Sequence, residues 1–378
     1  MLPAILPVQE LWDHIVDQLS QSQEDSRSCS LVCRALVARA QSHAFSYIHI
    51  ESRVHGNRFA RLLESSPHLI PYIRHLHFKN CGGLSITPLD LIPWSNLDTL
   101  TLHRHSFSNI PFYRHVLEEL YTLVALPSIR RLNFCGRLWH RTELFSIFAR
   151  CTTALDDIDF GDCSLRSLSA SVPADLPAPH IYKPKVRRLA LDRSVVGEAI
   201  RDPACPLDVS SLTYVQSYSS TMPPSHWALI LRSRTTIETL DFSRIETDEY
   251  WGDSVSVDLS LFPSLRCIML GKFFASDPWI PVHPHAEILL RLPLDNRVMT
   301  ICFKLFGRLW TFGSEEPARK EVEGVARDLH AIETVLTRPE MSALARVEID
   351  VDSTNIADLV RRSMPTLHAR GIISIYCV

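Results

Sequence analysis

Two short runs carry paired imidazoles, His75-Leu76-His77 and His103-Arg104-His105. On an extended chain residues i and i+2 point to the same face, so each pair could offer two nitrogens to one metal ion. A zinc site takes three or four protein ligands, and the sequence supplies no third or fourth at a fixed spacing. The pairs therefore read as polar rows on a strand, with no metal and no other cofactor expected. A second cluster, Asp156, Asp157, Asp159 and Asp162, could furnish two carboxylates for general acid–base work. Its first three members straddle a hexad and alternate faces, and polar positions around a buried Ile158 and Phe160 explain them better than a catalytic pair. No GxSxG, phosphate-binding loop, dinucleotide fingerprint, HExxH or kinase set occurs, and no nucleophile comes with an evident base. The chain is not expected to be an enzyme, and a hydrolase with an unrecognised site stays as an alternative from another class.

The elements that would carry those rows form a repeat. Phe45-Ser46-Tyr47-Ile48-His49-Ile50 is a hexad with apolar residues at its first, fourth and sixth positions. The same form recurs at residues 73–78, 97–102, 129–134, 155–160, 186–191, 237–242, 265–270, 298–303 and 344–349, with weaker copies at 212–217 and 372–377. The fourth positions are Ile48, Leu76, Leu100, Leu132, Ile158, Leu189, Val215, Leu240, Ile268, Ile301, Val347 and Ile375, spaced by 24 to 33 residues apart from one interval of 46. A short strand repeating every ~20–29 residues is the signature of a leucine-rich repeat. Lead-in residues recur too: Leu126-Pro127-Ser128-Ile129-Arg130 parallels Phe262-Pro263-Ser264-Leu265-Arg266.

Helical stripes lie between hexads: Tyr113, Val116, Leu117, Leu120 and Val124; Leu144, Ile147 and Phe148; Trp227 to Leu231; and a longer one over about residues 317–337. Pro173 to Pro184, with four prolines, reads as a surface loop. The expected fold is α/β, a leucine-rich-repeat solenoid over residues 45–378 with a parallel sheet on one face, behind an all-α head over residues 1–44. The third and fifth hexad positions point away from the core. Among them His75, His77, Arg131, Asp157, Asp159, Arg188, Tyr214 and Asp241 are the candidates for binding a protein target, since Tyr and Arg are common interface anchors.

Composition narrows the partners. The formal charge of −3 over 378 residues gives no electrostatic footprint for nucleic acid or an anionic membrane. No stretch approaches the ~18 apolar residues of a membrane span, and residues 1–8 lack the basic start of a signal peptide. Ten cysteines without a CxxC pair suggest reduced thiols and an intracellular, cytoplasmic or nuclear location.

In the head, Val8, Leu11, Trp12, Ile15, Val16 and Leu19 follow one face of a helix. Pro7 sits just inside its start. A second helix is expected with Cys29, Val32, Cys33, Leu36, Val37 and Ala40 on one face, and Leu31 off that stripe. Some forty residues cannot bury so much apolar surface internally, so the head needs a partner or must dock on the rest of the chain. Leu6-Pro7, then Glu10-Leu11, Ile15 and Leu19, then Cys29-Ser30-Leu31-Val32-Cys33-Arg34 and Phe45, resembles an F-box over about residues 4–48. The whole arrangement resembles the large fungal set of F-box proteins with degenerate leucine-rich repeats. That resemblance implies docking on the Skp-family adaptor of a cullin–RING ubiquitin ligase, through Leu6, Pro7, Leu11, Ile15, Leu19, Leu31, Val32, Cys33 and Arg34. The solenoid would then capture a protein target. Two other readings of the head stand beside it: a helical cap closing the array, and a helix-turn-helix using Arg27, Arg34 and Arg39, a thin basic patch. For the whole chain, the alternative is a non-catalytic protein-binding scaffold without ligase association.

Overall fold

All twelve hexads fold as strands. The computed structural model describes residues 8–19, 22–79, 92–104, 114–136, 139–161, 163, 165, 183–191, 196–217, 224–243, 258–271, 283–293, 295–305, 315–351 and 353–377. Leu6, Pro7, His105, Asp162 and most of the proline-rich stretch at 173–184 lie outside them. The chain divides into two compact units, Met1–Pro184 and Lys185–Val378.

The first unit opens with three helices, α1 (Val8–Gln18), α2 (Gln23–Val32) and α3 (Arg34–Ala44). Strands β1 (Tyr47–Ile50), β2 (His75–Lys79), β3 (Thr99–Arg104), β4 (Arg131–Gly136) and β5 (Leu155–Asp159) follow, with α4 (Arg53–Ser65), α5 (Arg114–Val124) and α6 (Arg141–Arg150) between them. Each strand pairs parallel with the next in chain order. A parallel neighbour cannot be reached by a hairpin, so each connection must cross over, and α4, α5 and α6 do so between β1 and β2, β3 and β4, and β4 and β5.

The second unit holds β6 (Val186–Leu191), β7 (Tyr214–Ser217), β8 (Thr239–Phe242), β9 (Cys267–Gly271), β10 (Thr300–Leu305), β11 (Arg346–Val351) and β12 (Ile373–Cys377), again parallel neighbours in chain order. Its helices are α7 (Val196–Arg201), α8 (Pro224–Leu231), α9 (His283–Leu290), α10 (Glu315–Leu336), α11 (Thr354–Ser363) and α12 (Pro365–Ala369). Mixed α/β repeats with sequential parallel strands make this a leucine-rich-repeat-like architecture.

The hexad predicts the core. Fourth positions from Leu76 to Val347 are buried, whereas Ile48 and Ile375, in the two terminal strands, are half-buried. The lead-in residues repeat their geometry as well as their sequence: Ile129 N donates to Leu126 O and Leu265 N to Phe262 O, each at 3.1 Å. In the first unit the sixth positions Phe134 and Phe160 stack at 5.3 Å, with Phe148 and Trp139 edge-on to Phe134. Trp139 is fully buried and its indole N–H donates to Cys135 O at 3.2 Å, so the polar tip of the ring is satisfied.

Two expectations are corrected. The expected helix through residues 29–40 is broken at Cys33, whose backbone is extended (φ −158°, ψ 160°) and ends α2 while starting α3. That break separates the stripe: Leu36 and Ala40 are buried, but Val32 and Cys33 are exposed. The twelfth strand pairs two residues away from the expected phase. Ile373 lies beside Val347 and Ile375 beside Ile349, so Ile373 is the anchor and Ile375 the sixth position. A slip of two leaves each side chain on its own face, which is why the pattern alone does not forbid it.

Candidate functional site

The head builds a small internal core from Val16, Leu36 and Ala40, with Cys29 packed against it. The Gln9 amide donates to Ala35 O at 3.0 Å, and the Asp17 carboxylate accepts from Arg39 at 2.6 and 2.8 Å, tying α1 to α3. Ser22 caps α2, its hydroxyl accepting from Asp25 N at 3.1 Å. With α1 fixed by Val16, three of its other apolar side chains, Leu11, Trp12 and Ile15, face out. Leu11, Trp12, Ile15 and Leu19 are exposed, as are Leu31 (87%) and Val32 (72%) at the end of α2. These are six of the twelve exposed large hydrophobic residues among those described, gathered in the first helices rather than scattered. Cys33 and Arg34 are exposed beside them.

The other candidate surface is the outward face of each set of strands. In the first unit the third positions form one register row, Tyr47–His75–Thr99–Arg131–Asp157, and the fifth positions another, His49–His77–Thr101–Asn133–Asp159. The register thus brings His75, Arg131 and Asp157 into one row and His77 and Asp159 into the next. Tyr47 and His49 complete the rows. They escaped the sequence reading although the same positional rule applied to the first hexad would have found them.

The rings pack on one another. His49 stacks on His77 at 4.4 Å, and Tyr47 meets His75 edge-on at 4.6 Å. Tyr47 Oη lies 2.5 Å from His77 Nδ1, and His75 Nε2 lies 2.7 Å from Thr101 Oγ1, which also accepts from Asn133 Nδ2 at 2.9 Å. Burial first, and then the neighbouring His49, His103, His75 and Lys79, press the His77 imidazole down to about 4. Burial also lowers His75. At neutral pH both rings are therefore uncharged. Among the described residues no three His, Cys, Asp or Glu side chains are placed to hold a metal ion. The imidazoles lie face to face or edge to face rather than converging on a point.

In the second unit the Arg188 guanidinium sits 4.2 Å from the centre of the Tyr214 ring. The Tyr214 hydroxyl donates to Asp241, which also accepts from Gln216 Nε2 at 3.0 Å and from Ser243 N at 2.7 Å. Burial, followed by the bond to Asp241, raises the phenol well above its ordinary range. Asp241 is only 2% exposed, so it holds Tyr214 in place and is not itself a surface group.

A cleft of ≈ 240 Å³ opens near the starts of β9 and β10, lined by Phe262, Leu292, Asn296 and Arg297 among others. Asn296 Nδ2 spends its donors on Pro293 O and Glu340 O, at 2.9 and 2.7 Å.

The sequence matches no family model and no curated protein. Among solved structures it is similar to the leucine-rich repeat-containing protein LegL7 from Legionella pneumophila, at 14% identity over 85% of this chain and 98% of that one, with a TM-score of 0.46. The repeat assignment above rests on strand order and register in this chain. Among the described residues no helix is long and apolar enough to cross a membrane.

Proposed function

We propose that this chain is the substrate-recognition subunit of a Skp/cullin/F-box type ubiquitin ligase. Its helical head binds the adaptor, and through it a cullin, while the outward face of the repeats binds a protein target. The observation that carries the reading is the exposure of Leu11, Ile15, Leu19, Leu31 and Val32. These are residues that the resemblance to an F-box assigns to the adaptor, and none of them belongs to the head's own core of Val16, Leu36 and Ala40. A buried apolar side chain contributes about 1.5–3 kcal/mol, so several together can offset the cost of association. Catalysis by such a subunit is proximity alone: it raises the target's concentration near the transferring enzyme and supplies no reacting group.

The experiment is co-purification of the full chain with a Skp-family adaptor, repeated with Leu11→Asp plus Val32→Asp. Both side chains are exposed, so the head core of Val16, Leu36 and Ala40 is untouched and loss of binding reads the interface. Failure of the native chain to bind any such adaptor at micromolar concentration refutes the ligase reading and leaves a protein-binding scaffold.

A further inference from the structure

The imidazoles of the first unit hold no metal, yet they are packed more closely than a row of surface polar groups requires. His49 and His77 are register partners on β1 and β2, and their rings stack at 4.4 Å, only 15° from parallel. Tyr47, on the same strand as His49, places its hydroxyl 2.5 Å from His77 Nδ1. His103 stands edge-on from β3 at 6.2 Å. The remaining nitrogen of that ring, His77 Nε2, is buried and meets no hydrogen-bond partner among the described residues.

That packing suits one charge state of His77. The neutral ring, with its proton on Nδ1, meets the Tyr47 hydroxyl and leaves Nε2 as a bare lone pair. An imidazolium would put a charged N–H at Nε2 with nothing to receive it, and an unpaired charge is costly to bury. The neighbours add to that cost: His49 on one face, His103 at the edge, and His75 and Lys79 along β2. The acids nearby attend to other groups. Glu51 binds Lys79 at 3.1 Å and lies 3.8 Å from His49 Nδ1. Asp98 accepts from the Thr99 hydroxyl, and Asp98 and Arg131 both face His75, while Cys135 faces Tyr47. A proton on His49 thus has a carboxylate at hand, and one on His77 has none among the described residues.

We propose that His77 is an acid-sensitive latch on β1: charging its ring breaks the stack with His49 and the bond with Tyr47, and opens the outward face where the head joins the repeats. The charged ring must bring Nε2 to water, and turning outward carries it away from both partners. β1 is where such a loss counts most. It is the terminal strand, with β2 as its one strand neighbour and four residue pairs in register between them. A strand held by so short a ladder opens more readily than an internal one, so side-chain contacts across it carry a larger share of its hold. Burial, then the neighbouring imidazoles and Lys79, keep the closed ring at about 4, against an ordinary value of 6.5. The latch therefore holds fully above 6.5, weakens as the opened form takes up a proton below that, and has lost its contribution once pH falls through about 4. It works whether or not the head binds an adaptor.

The test is amide hydrogen exchange of the full chain between pH 7 and pH 5, corrected for the intrinsic rate and read by mass spectrometry. Opening in peptides spanning residues 46–52 and 74–80 should rise by up to about twentyfold, the factor for one group at about 4 when closed and 6.5 when open. Peptides from β9 and β10, which carry no histidine, should change little. His77→Phe keeps a flat ring against His49 but takes no proton, and should abolish the rise. Tyr47→Phe loses the bond to Nδ1 and keeps the titrating ring, so opening should be faster already at pH 7. No rise in the native chain, or one shared equally by β9 and β10, overturns the latch, and neither result needs a variant to fold. A rise that survives in His77→Phe overturns the role given to His77.

Discussion

Replacing Asp17 with Asn tests whether one charged clamp holds α1 in the pose that exposes its apolar face. Arg39 Nε lies 2.6 Å from Oδ1, Arg39 Nη2 2.8 Å from Oδ2, and His43 Nε2 2.8 Å from Oδ1. The hydrogen bond from Arg39, then that from His43, holds the Asp17 carboxyl well below its ordinary value of 3.8. The Arg39 and Asp17 side chains keep 43% and 35% exposure, so solvent screening limits the pair to about 0.5–1 kcal/mol, with two-point geometry favouring the upper end. Against the three-residue core of Val16, Leu36 and Ala40, that amount is appreciable. Asparagine keeps the shape but cannot accept at both positions. Amide exchange in peptides spanning residues 8–19 should therefore quicken about fivefold over the native chain at pH 7, the factor that 1 kcal/mol represents. The pH dependence fixes the cause. A carboxylate whose pKa is depressed on folding stabilises fully above its unfolded value and loses that contribution as pH falls through the folded one. The ratio between variant and native chain should thus be constant above about pH 5, narrow below 3.8 and approach one in stronger acid. A ratio of one at pH 7, or one that does not change in acid, refutes the clamp.

Other perturbations probe separate parts of the fold. If Leu11 and Val32 act as interface anchors worth about 2 kcal/mol each, Leu11→Asp plus Val32→Asp should weaken adaptor binding roughly a thousandfold by calorimetry, without lowering the melting temperature. Phe134→Ala empties the centre of the Phe134–Phe148–Phe160–Trp139 cluster and should cost about 3–5 kcal/mol in urea denaturation. A Cβ at Gly271 would lie 2.0 Å from Ser243 O, a backbone atom that cannot swing aside, so Gly271→Ala should loosen β8 and β9 and raise their amide exchange. Limited proteolysis should spare residues 45–55, and two folded fragments from a cut there would contradict a rigid joint.

The strands were legible because three apolar positions per hexad survive at nearly every copy, and burial selects for that spacing independently of the rest of the sequence. Phase was legible only where the apolar set was unambiguous. At the last strand Ile372, Ile373 and Ile375 admit two phases two residues apart, and only pairing with β11 chooses between them. The break at Cys33 has no glycine or proline to announce it, and its cap uses no side-chain bond. Outward positions were legible as positions but not as environments. Asp241 occupies a nominally exposed place, yet Tyr214 and Gln216 lean over it from the neighbouring strand. Such cover depends on which side chains the register sets side by side. The Cys302–Glu348 contact was hidden for the same reason.

The two candidate surfaces differ in what they can contribute to binding. Several polar and aromatic groups on the outward faces already bond one another: Tyr47 with His77, His75 with Thr101, Tyr214 with Asp241. Such preformed networks lose little entropy when a partner arrives, and they select shape and hydrogen-bond pattern more than they add affinity. The apolar side chains of α1 and α2 are the reverse case, with area still to be removed from water and little chemistry to discriminate by. Under the proposed function, apolar area on the head and a hydrogen-bonded pattern on the strand face would suit a subunit that joins a constant partner to a particular one. The joint between them is short. Only Phe45 and Ser46 separate α3 from β1, and Ser46 O accepts from Arg74 N and His75 N at 3.1 and 2.9 Å, so the turn is already part of the ladder. With the turn so fixed, a partner on the head and one on the first unit's strand face would be held at a set separation, whereas a flexible linker would average that geometry away.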